Sequence, residues 1–257
     1  MPMPADDSHD AAFAWSGAEL HRVGHEVADW IATYLTSLRS TPVFEPVPPE
    51  LSAALLSEPV PETGESVDAI LRRFEREVGR YPFGNGHPRF SAWVNSPPAA
   101  IGIFAAALAA AMNPSVAGGN HAAVWVEREV ILWFKTIFGF PNESMGMLVS
   151  GSSAAAITGL AVARHGAAKR IGWDMRAKGA HIVDARGAPV RMLVYESAEA
   201  HSCHQKAIEL LGLGSAQIRV VPSDRALCML PEALDAMLAA DIAAGAPPVA
   251  VIANAGT

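Results

Sequence analysis

The sequence predicts an α/β protein in which a mostly parallel sheet is covered by helices, preceded by an amino-terminal helical arm. Three observations predict it. From Arg191 onward, short apolar runs alternate with helical patterns, the order that strand–helix–strand units and a parallel sheet produce. Residues 147–157 read as an apolar run, a small polar turn and the start of an alanine-rich helix. The first eighty residues hold amphipathic helices separated by prolines, without a strand pattern. The expected division is an arm with its connector over 1–80 and part of a large domain over 81–257.

Composition narrows the function classes. With 51% hydrophobic and 18% charged residues, the 257-residue chain can bury a substantial core. Its net charge of −7 argues against nucleic acid or an acidic membrane surface as partner, since both require a basic face. Cys203 and Cys228 are too few for a disulfide framework and fit a reducing cytoplasm. Residues 1–10 carry acids and prolines where an export signal would carry basic and then apolar residues. The alanine-dominated stretch 97–112 is too short to cross a bilayer and predicts a buried helix.

The arm opens with a capping box, Ser16-Gly17-Ala18-Glu19. Leu20, Val23, Val27, Trp30, Ile31, Tyr34, Leu35 and Leu38 then recur at helical spacing and make one broad apolar face. Residues 41–61 are rich in proline and predict an extended connector. Residues 66–79 resume a helix, with Ile70, Leu71, Phe74 and Val78 on one face and the pair Arg73/Glu77 on another. Such an arm needs a partner subunit or a larger domain to lie on.

A turn-rich loop ending in aromatics follows over 81–90, and loops of this kind often carry function. Residues 122–138 predict a helix with Val126, Val130, Trp133, Phe134 and Ile137 in an apolar stripe. A strand at 147–149 leads into the turn Ser150-Gly151-Ser152-Ser153 and a helix to about Lys169. Strands are then expected at 191–195, 217–222 and 248–253, with helices at 201–212 and 231–244. Ligands of open parallel sheets sit at the carboxyl ends of the strands. Ser150 to Ser153, His201 and Asn254 to Thr257 all fall at such ends.

The serine turn is a natural seat for a phosphate, because it aims backbone N–H groups, hydroxyls and the positive end of a helix dipole at one point. On this stretch alone the commoner reading is an ordinary serine helix cap, which needs no ligand. His201 reads as a helix-capping histidine or as a site residue, and the neighbouring Cys203 as a small residue at a helix start. His21 and His25 share a helix face at a spacing that can hold a metal, but no third ligand is identifiable and a solvated face is the expectation. No metal is predicted. His87, before a proline, is read as structural, and His165, His181 and His204 as surface residues.

Five motifs occur together in order: His87-Pro88-Arg89-Phe90; Glu127 at an aromatic-rich helix start; Ser150-Gly151-Ser152-Ser153 with Ala163-Arg164; Ala200-His201-Ser202 with Lys206-Ala207; and Ala255-Gly256-Thr257. In this register they resemble the group II pyridoxal-phosphate-dependent amino-acid decarboxylases, the class containing the aromatic-L-amino-acid, histidine and glutamate enzymes. The resemblance implies the type I fold, a homodimer whose amino-terminal arm wraps the partner subunit, pyridoxal phosphate as cofactor, and decarboxylation of an amino acid. It assigns Ser152 and Ser153 to the cofactor phosphate, His201 to stacking on the pyridine ring and contacting the substrate side, Thr257 to the cofactor's surroundings, and Phe90 to the substrate pocket.

The chain departs from the family pattern in two places. Ala154-Ala155 stands where glutamate and alanine or asparagine commonly follow the phosphate serine. Asn120-His121 stands where a serine-proline pair is usual. The family's pyridine-nitrogen aspartate and cofactor-bearing lysine lie beyond the Gly-Thr motif, and none of Lys135, Lys169, Lys178 and Lys206 sits in the family's histidine-lysine motif. The expectation is therefore the amino-terminal half of a longer or split enzyme, with a sheet left unfinished after 248–253. Two other classes stay open: an inactive half-fold that binds a partner, and another type I activity such as an aldehyde synthase or aminotransferase.

Overall fold

The structure is a computed structural model that describes residues 15–93 and 96–255. They form two compact units that divide between Ser115 and Val116.

In the first unit, helix α1 (Gly17–Ser37) starts where the capping box predicts: Ser16 Oγ accepts the Glu19 N–H at 3.2 Å. Its apolar face meets helix α3 (Val67–Phe74) through aromatic contacts. Trp30 stacks on Tyr34 with centroids 5.2 Å apart and meets Phe74 edge-on at 4.9 Å. Such pairs add about 0.5–1.5 kcal/mol beyond their area burial. Even so, no residue of α1 is fully buried.

Three expectations for this unit are corrected. The proline-rich stretch 41–61 is not wholly extended, because helix α2 (Pro49–Ser57) lies within it. Pro49 occupies the first helical position, where its missing N–H costs nothing. The helix expected over 66–79 stops being α-helical at Phe74 and widens into a π-type turn over Glu75–Gly79. Helix α4 (Ala100–Met112) is exposed rather than buried: Ile101, Phe104, Leu108 and Met112 all face solvent. Its length was legible from hydropathy, but its burial depends on a neighbour that the described residues of this unit do not supply.

The second unit runs α5 (Ala122–Phe138), α6 (Ser152–Arg170), α7 (Met175–Lys178), β1 (Leu193–Ser197), α8 (Cys203–Leu210), β2 (Ile218–Val221), α9 (Pro231–Ala243) and β3 (Pro248–Ile252). The three strands form a parallel sheet in the order β2-β1-β3, with Val194 opposite Ile218 and Ala250. The predicted parallel α/β pattern is therefore present, and the sheet is open. Its central strand β1 is buried along its whole length.

Alternation along β1 distributes the core to two faces. Met192 and Val194 pack with Leu160, Ala167 and Ala168 of α6 and with Ala207 and Ile208 of α8. Leu193 and Tyr195 point the other way, with Val221 and Ala246, against Leu234, Met237 and Leu238 of α9. Two alanines of α6 let that helix approach the sheet closely. Each large side chain buried here contributes about 1.5–3 kcal/mol, so a charge at Val194 would break the sheet–helix contact.

One strand is absent where expected. Residues 147–149 carry no ladder pairing and stay largely exposed. An apolar run becomes a strand only when a neighbouring strand accepts its backbone groups, and no described strand pairs with this one. The stripe on α5 is likewise exposed at Val126, Trp133, Phe134 and Ile137.

Candidate active site

The serine turn is formed as expected. Gly151 caps α6 with φ 148° and ψ 170°, a backbone conformation that only glycine adopts easily. Among the described residues no side chain caps the helix, so its first N–H groups, which have no intrahelical partners, lack a capping acceptor as well. Ser152 and Ser153 are exposed at this end, and among the described residues neither hydroxyl is engaged in a hydrogen bond. The simple serine-cap reading is thus not what the structure shows: the turn presents free donors.

Two long-range hydrogen bonds fix the direction of α6. Arg170 donates to the carbonyl of Pro248, at the start of β3, with a separation of 3.3 Å. Arg164 donates to the carbonyl of Leu211, just past the end of α8. The carboxyl end of α6 therefore lies at the amino end of β3, and its amino end points toward the strands' carboxyl ends. From Arg164 back to Ser152 the helix rises ~18 Å, and from Leu211 back to Cys203 ~12 Å. The serine turn and the start of α8 consequently share one end of the unit.

His201 lies at that same end, in the loop between β1 and α8. The helix expected from 201 begins two residues later, at Cys203. The exposed His201 ring accepts the Cys203 N–H through Nδ1 at 3.1 Å. This is the predicted capping contact, and it also orients the ring. With Nδ1 accepting, the neutral imidazole carries its proton on Nε2, which is left as an outward donor.

The end of β3 joins this cluster. Asn254 Nδ2 donates to the carbonyl of Glu199 at 2.7 Å, tying the β3 terminus to the loop that carries His201. A cavity of about 370 Å³ opens beside it, lined by Ser197, Cys228, Met229 and Asn254 among others. Thr257 lies outside the described residues.

Phe90 belongs to the other unit. It is half-buried and meets Phe83 edge-on at 5.6 Å, while Phe83 stacks on Trp93 at 4.5 Å. The loop is pinned by Gly84: a Cβ there would lie 2.2 Å from the Val43 carbonyl oxygen. His87 is buried, as its structural reading requires, and accepts the Arg89 N–H at 3.0 Å.

Two features were missed from the sequence. His204 is not a surface residue: its Nδ1 is buried 3.9 Å from Oε2 of the buried Glu196, and neither atom has a hydrogen-bond partner among the described residues. Burial pushes the Glu196 carboxyl up and the His204 imidazole down, the latter helped by the nearby His201. The second is the partner of Glu127, a residue already singled out by its motif: Glu127 Oε1 accepts the Leu148 N–H at 3.0 Å, just ahead of the serine turn. Helical spacing from His201 could have flagged His204, whereas nothing local announces the pairing of Glu127 with Leu148.

Known proteins resemble this chain in sequence and fold. Residues 49–257 match the pyridoxal-dependent decarboxylase conserved domain. An aromatic-L-amino-acid decarboxylase of Bacillus atrophaeus is 30% identical over 244 residues, covering 94% of this chain and 47% of that protein. A phenylacetaldehyde synthase of Arabidopsis thaliana is 25% identical over 251 residues, covering 93% and 48%. The crystal structure of Oryza sativa TDC with PLP and tryptamine superposes with a TM-score of 0.71 at 25% identity, covering 98% of this chain and 49% of that one. The chain spans about half the length of the curated relatives it matches. With the conserved domain matched over most of its residues, the chain belongs to the pyridoxal-dependent decarboxylase family.

Proposed function

We propose that the complete protein decarboxylates an L-amino acid to its amine and carbon dioxide with pyridoxal phosphate. The observation that carries this reading is the convergence of the uncapped Gly151–Ser153 turn, His201 and Asn254 at one end of the second unit. The residues present fit the phosphate end of the cofactor: among the described residues space is open around Gly151, and two hydroxyls and the first-turn amides of α6 are unengaged. When bound, pyridoxal phosphate supplies the electron sink for loss of carbon dioxide.

The chain's own residues then have distinct tasks. Ser152 and Ser153 hold the phosphate by hydroxyl and amide donation. His201 would stack on the pyridine ring, its imidazole oriented by the Cys203 N–H donating to Nδ1, which leaves Nε2–H available to the substrate side. Thr257 contributes to the cofactor's surroundings, and Phe90 to the substrate pocket. About three charge-assisted hydrogen bonds to phosphate give a gross ~5–9 kcal/mol, against an association cost of ~4–15 kcal/mol. The two ranges overlap, and in this reading an aspartate and a lysine of a carboxy-terminal half add to the hold on the cofactor.

The reading includes a homodimer, supported by the arm helix α1, none of whose residues is fully buried. It includes a cytoplasmic location, supported by two free cysteines, Cys203 and Cys228. Among the described residues no helix is long and apolar enough to cross a membrane. A second reading, aldehyde formation, is favoured by the similarity to the phenylacetaldehyde synthase.

Product analysis tests both. The complete protein is incubated with pyridoxal phosphate and L-tyrosine, L-tryptophan or L-phenylalanine, and carbon dioxide, amine and aldehyde are quantified. Equal amounts of amine and carbon dioxide are expected. Aldehyde with ammonia, formed with uptake of dioxygen and water and release of hydrogen peroxide, would transfer the protein to the second reading, and release of no carbon dioxide from any amino acid would overturn the first.

A further inference from the structure

Helix α5 carries Glu127, Ile131 and Lys135 at four-residue intervals, on one face. The chain that leaves α5 turns back along this face and meets all three in reverse order. Lys135 Nζ donates to the Asn142 carbonyl. Gly146 passes so close to Ile131 that a Cβ would lie 2.9 Å from its Cγ2. Glu127 Oε1 then accepts the Leu148 N–H. Two extended residues from 146 to 148 span ~6.6 Å, and four helical residues from 131 to 127 rise ~6 Å. The two spacings match, so contact at Gly146 and the hydrogen bond at Leu148 can be made together.

This matters because residues 147–149 have no ladder pairing among the described residues. The Glu127 carboxylate is thus the polar anchor of the segment that delivers Gly151. We propose that Glu127 is a positioning residue for the phosphate-binding turn: by accepting the Leu148 N–H it sets the register in which 146–148 runs along α5, and hence where the Ser152 and Ser153 donors converge. The inference rests on the reading of that turn as the cofactor-phosphate site. A slip of one residue would turn alternate side chains over and displace the donors by ~3.3 Å, beyond hydrogen-bond reach.

The test uses the complete protein and 4′-deoxypyridoxine 5′-phosphate, which keeps the phosphate but cannot bond covalently to a lysine. Its affinity is compared with that of 4′-deoxypyridoxine for wild type, E127A and E127Q, with amide exchange followed in the peptide covering 142–153. The wild type is expected to prefer the phosphorylated probe. E127A is expected to lose that preference by about tenfold or more, as for loss of a hydrogen bond to a charged group, and to exchange faster across 145–150. E127Q keeps an acceptor oxygen and is expected to stay within about threefold of wild type. Should E127A fail to fold, Gly146→Ala perturbs the same register through Ile131 and is expected to weaken the phosphorylated probe in the same way. Phosphate-dependent binding in the wild type that both E127A and Gly146→Ala leave unchanged overturns the inference alone. Phosphate-independent binding in the wild type overturns the reading of the turn, and the inference with it.

Discussion

The guanidinium of Arg164 donates to the carbonyl of Leu211, binding the second half of α6 to the end of α8. Together with Arg170 on the Pro248 carbonyl, this bond aims the serine turn at the strands' carboxyl ends. Removing the side chain leaves a helix-end carbonyl short of a donor. R164A is therefore expected to lower unfolding free energy by about 1.5–3 kcal/mol, with R164K recovering part of it. Urea unfolding measures this, and a loss under about 0.5 kcal/mol would mean that packing alone orients α6.

On the opposite face of the sheet, Asp241 Oδ2 accepts Tyr195 Oη–H at 2.9 Å and Arg219 Nε–H at 2.9 Å. Burial and then the bond to Asp241 push the Tyr195 hydroxyl up to about 12. An unfolded tyrosine ionises near 10, so between about 10 and 12 only the unfolded chain releases this proton, and stability falls as pH rises through that window. Y195F is expected to lack that alkaline fall, at a cost of about 1 kcal/mol at neutral pH. Arg219 holds the Asp241 carboxyl below the usual range. Its contribution is present above the unfolded value of about 4 and is lost as pH falls through the folded one. D241N should flatten the acid limb, as read from urea midpoints across pH.

Glu196 gives the opposite sign. Burial raises its carboxyl, so from about 4.3 upward the unfolded chain ionises first and wild-type stability declines through the folded value. E196Q is expected to be more stable than wild type at pH 7 and to converge with it below about pH 4. His204 is depressed, by burial first, so its stabilising neutral state is fully present above the unfolded value near 6.5 and is lost as pH falls through the folded value. H204Q should lack that loss. A gap between E196Q and wild type that does not change with pH would contradict this account.

Much of the second unit was legible because its signals are local. Strand–helix alternation, the proline opening α9 and the glycine at the serine turn depend on residues near one another in sequence, and the observed elements begin and end within a few residues of the expected ones. Three of the failures share one cause. A strand at 147–149, a buried helix at 97–112 and a surface His204 each required knowledge of what lies opposite, which no local pattern contains. The anchors that orient the candidate site are of the same kind: Glu127 with Leu148, Arg164 with Leu211 and Asn254 with Glu199 are pairs distant in sequence. The proline-rich connector misled for another reason, since proline at a first helical position starts a helix as readily as it ends one.

The central claim, that the Gly151–Ser153 turn holds the phosphate of pyridoxal phosphate, is tested most directly by equilibrium binding of the cofactor to the complete protein carrying S152A and S153A together. Two lost hydroxyl bonds to a charged phosphate, at about 1.5 kcal/mol each, predict a dissociation constant more than about a hundredfold higher than wild type, with pyridoxal itself bound equally by both. An unchanged dissociation constant for pyridoxal phosphate would contradict the claim and leave the turn as the start of a helix and nothing more.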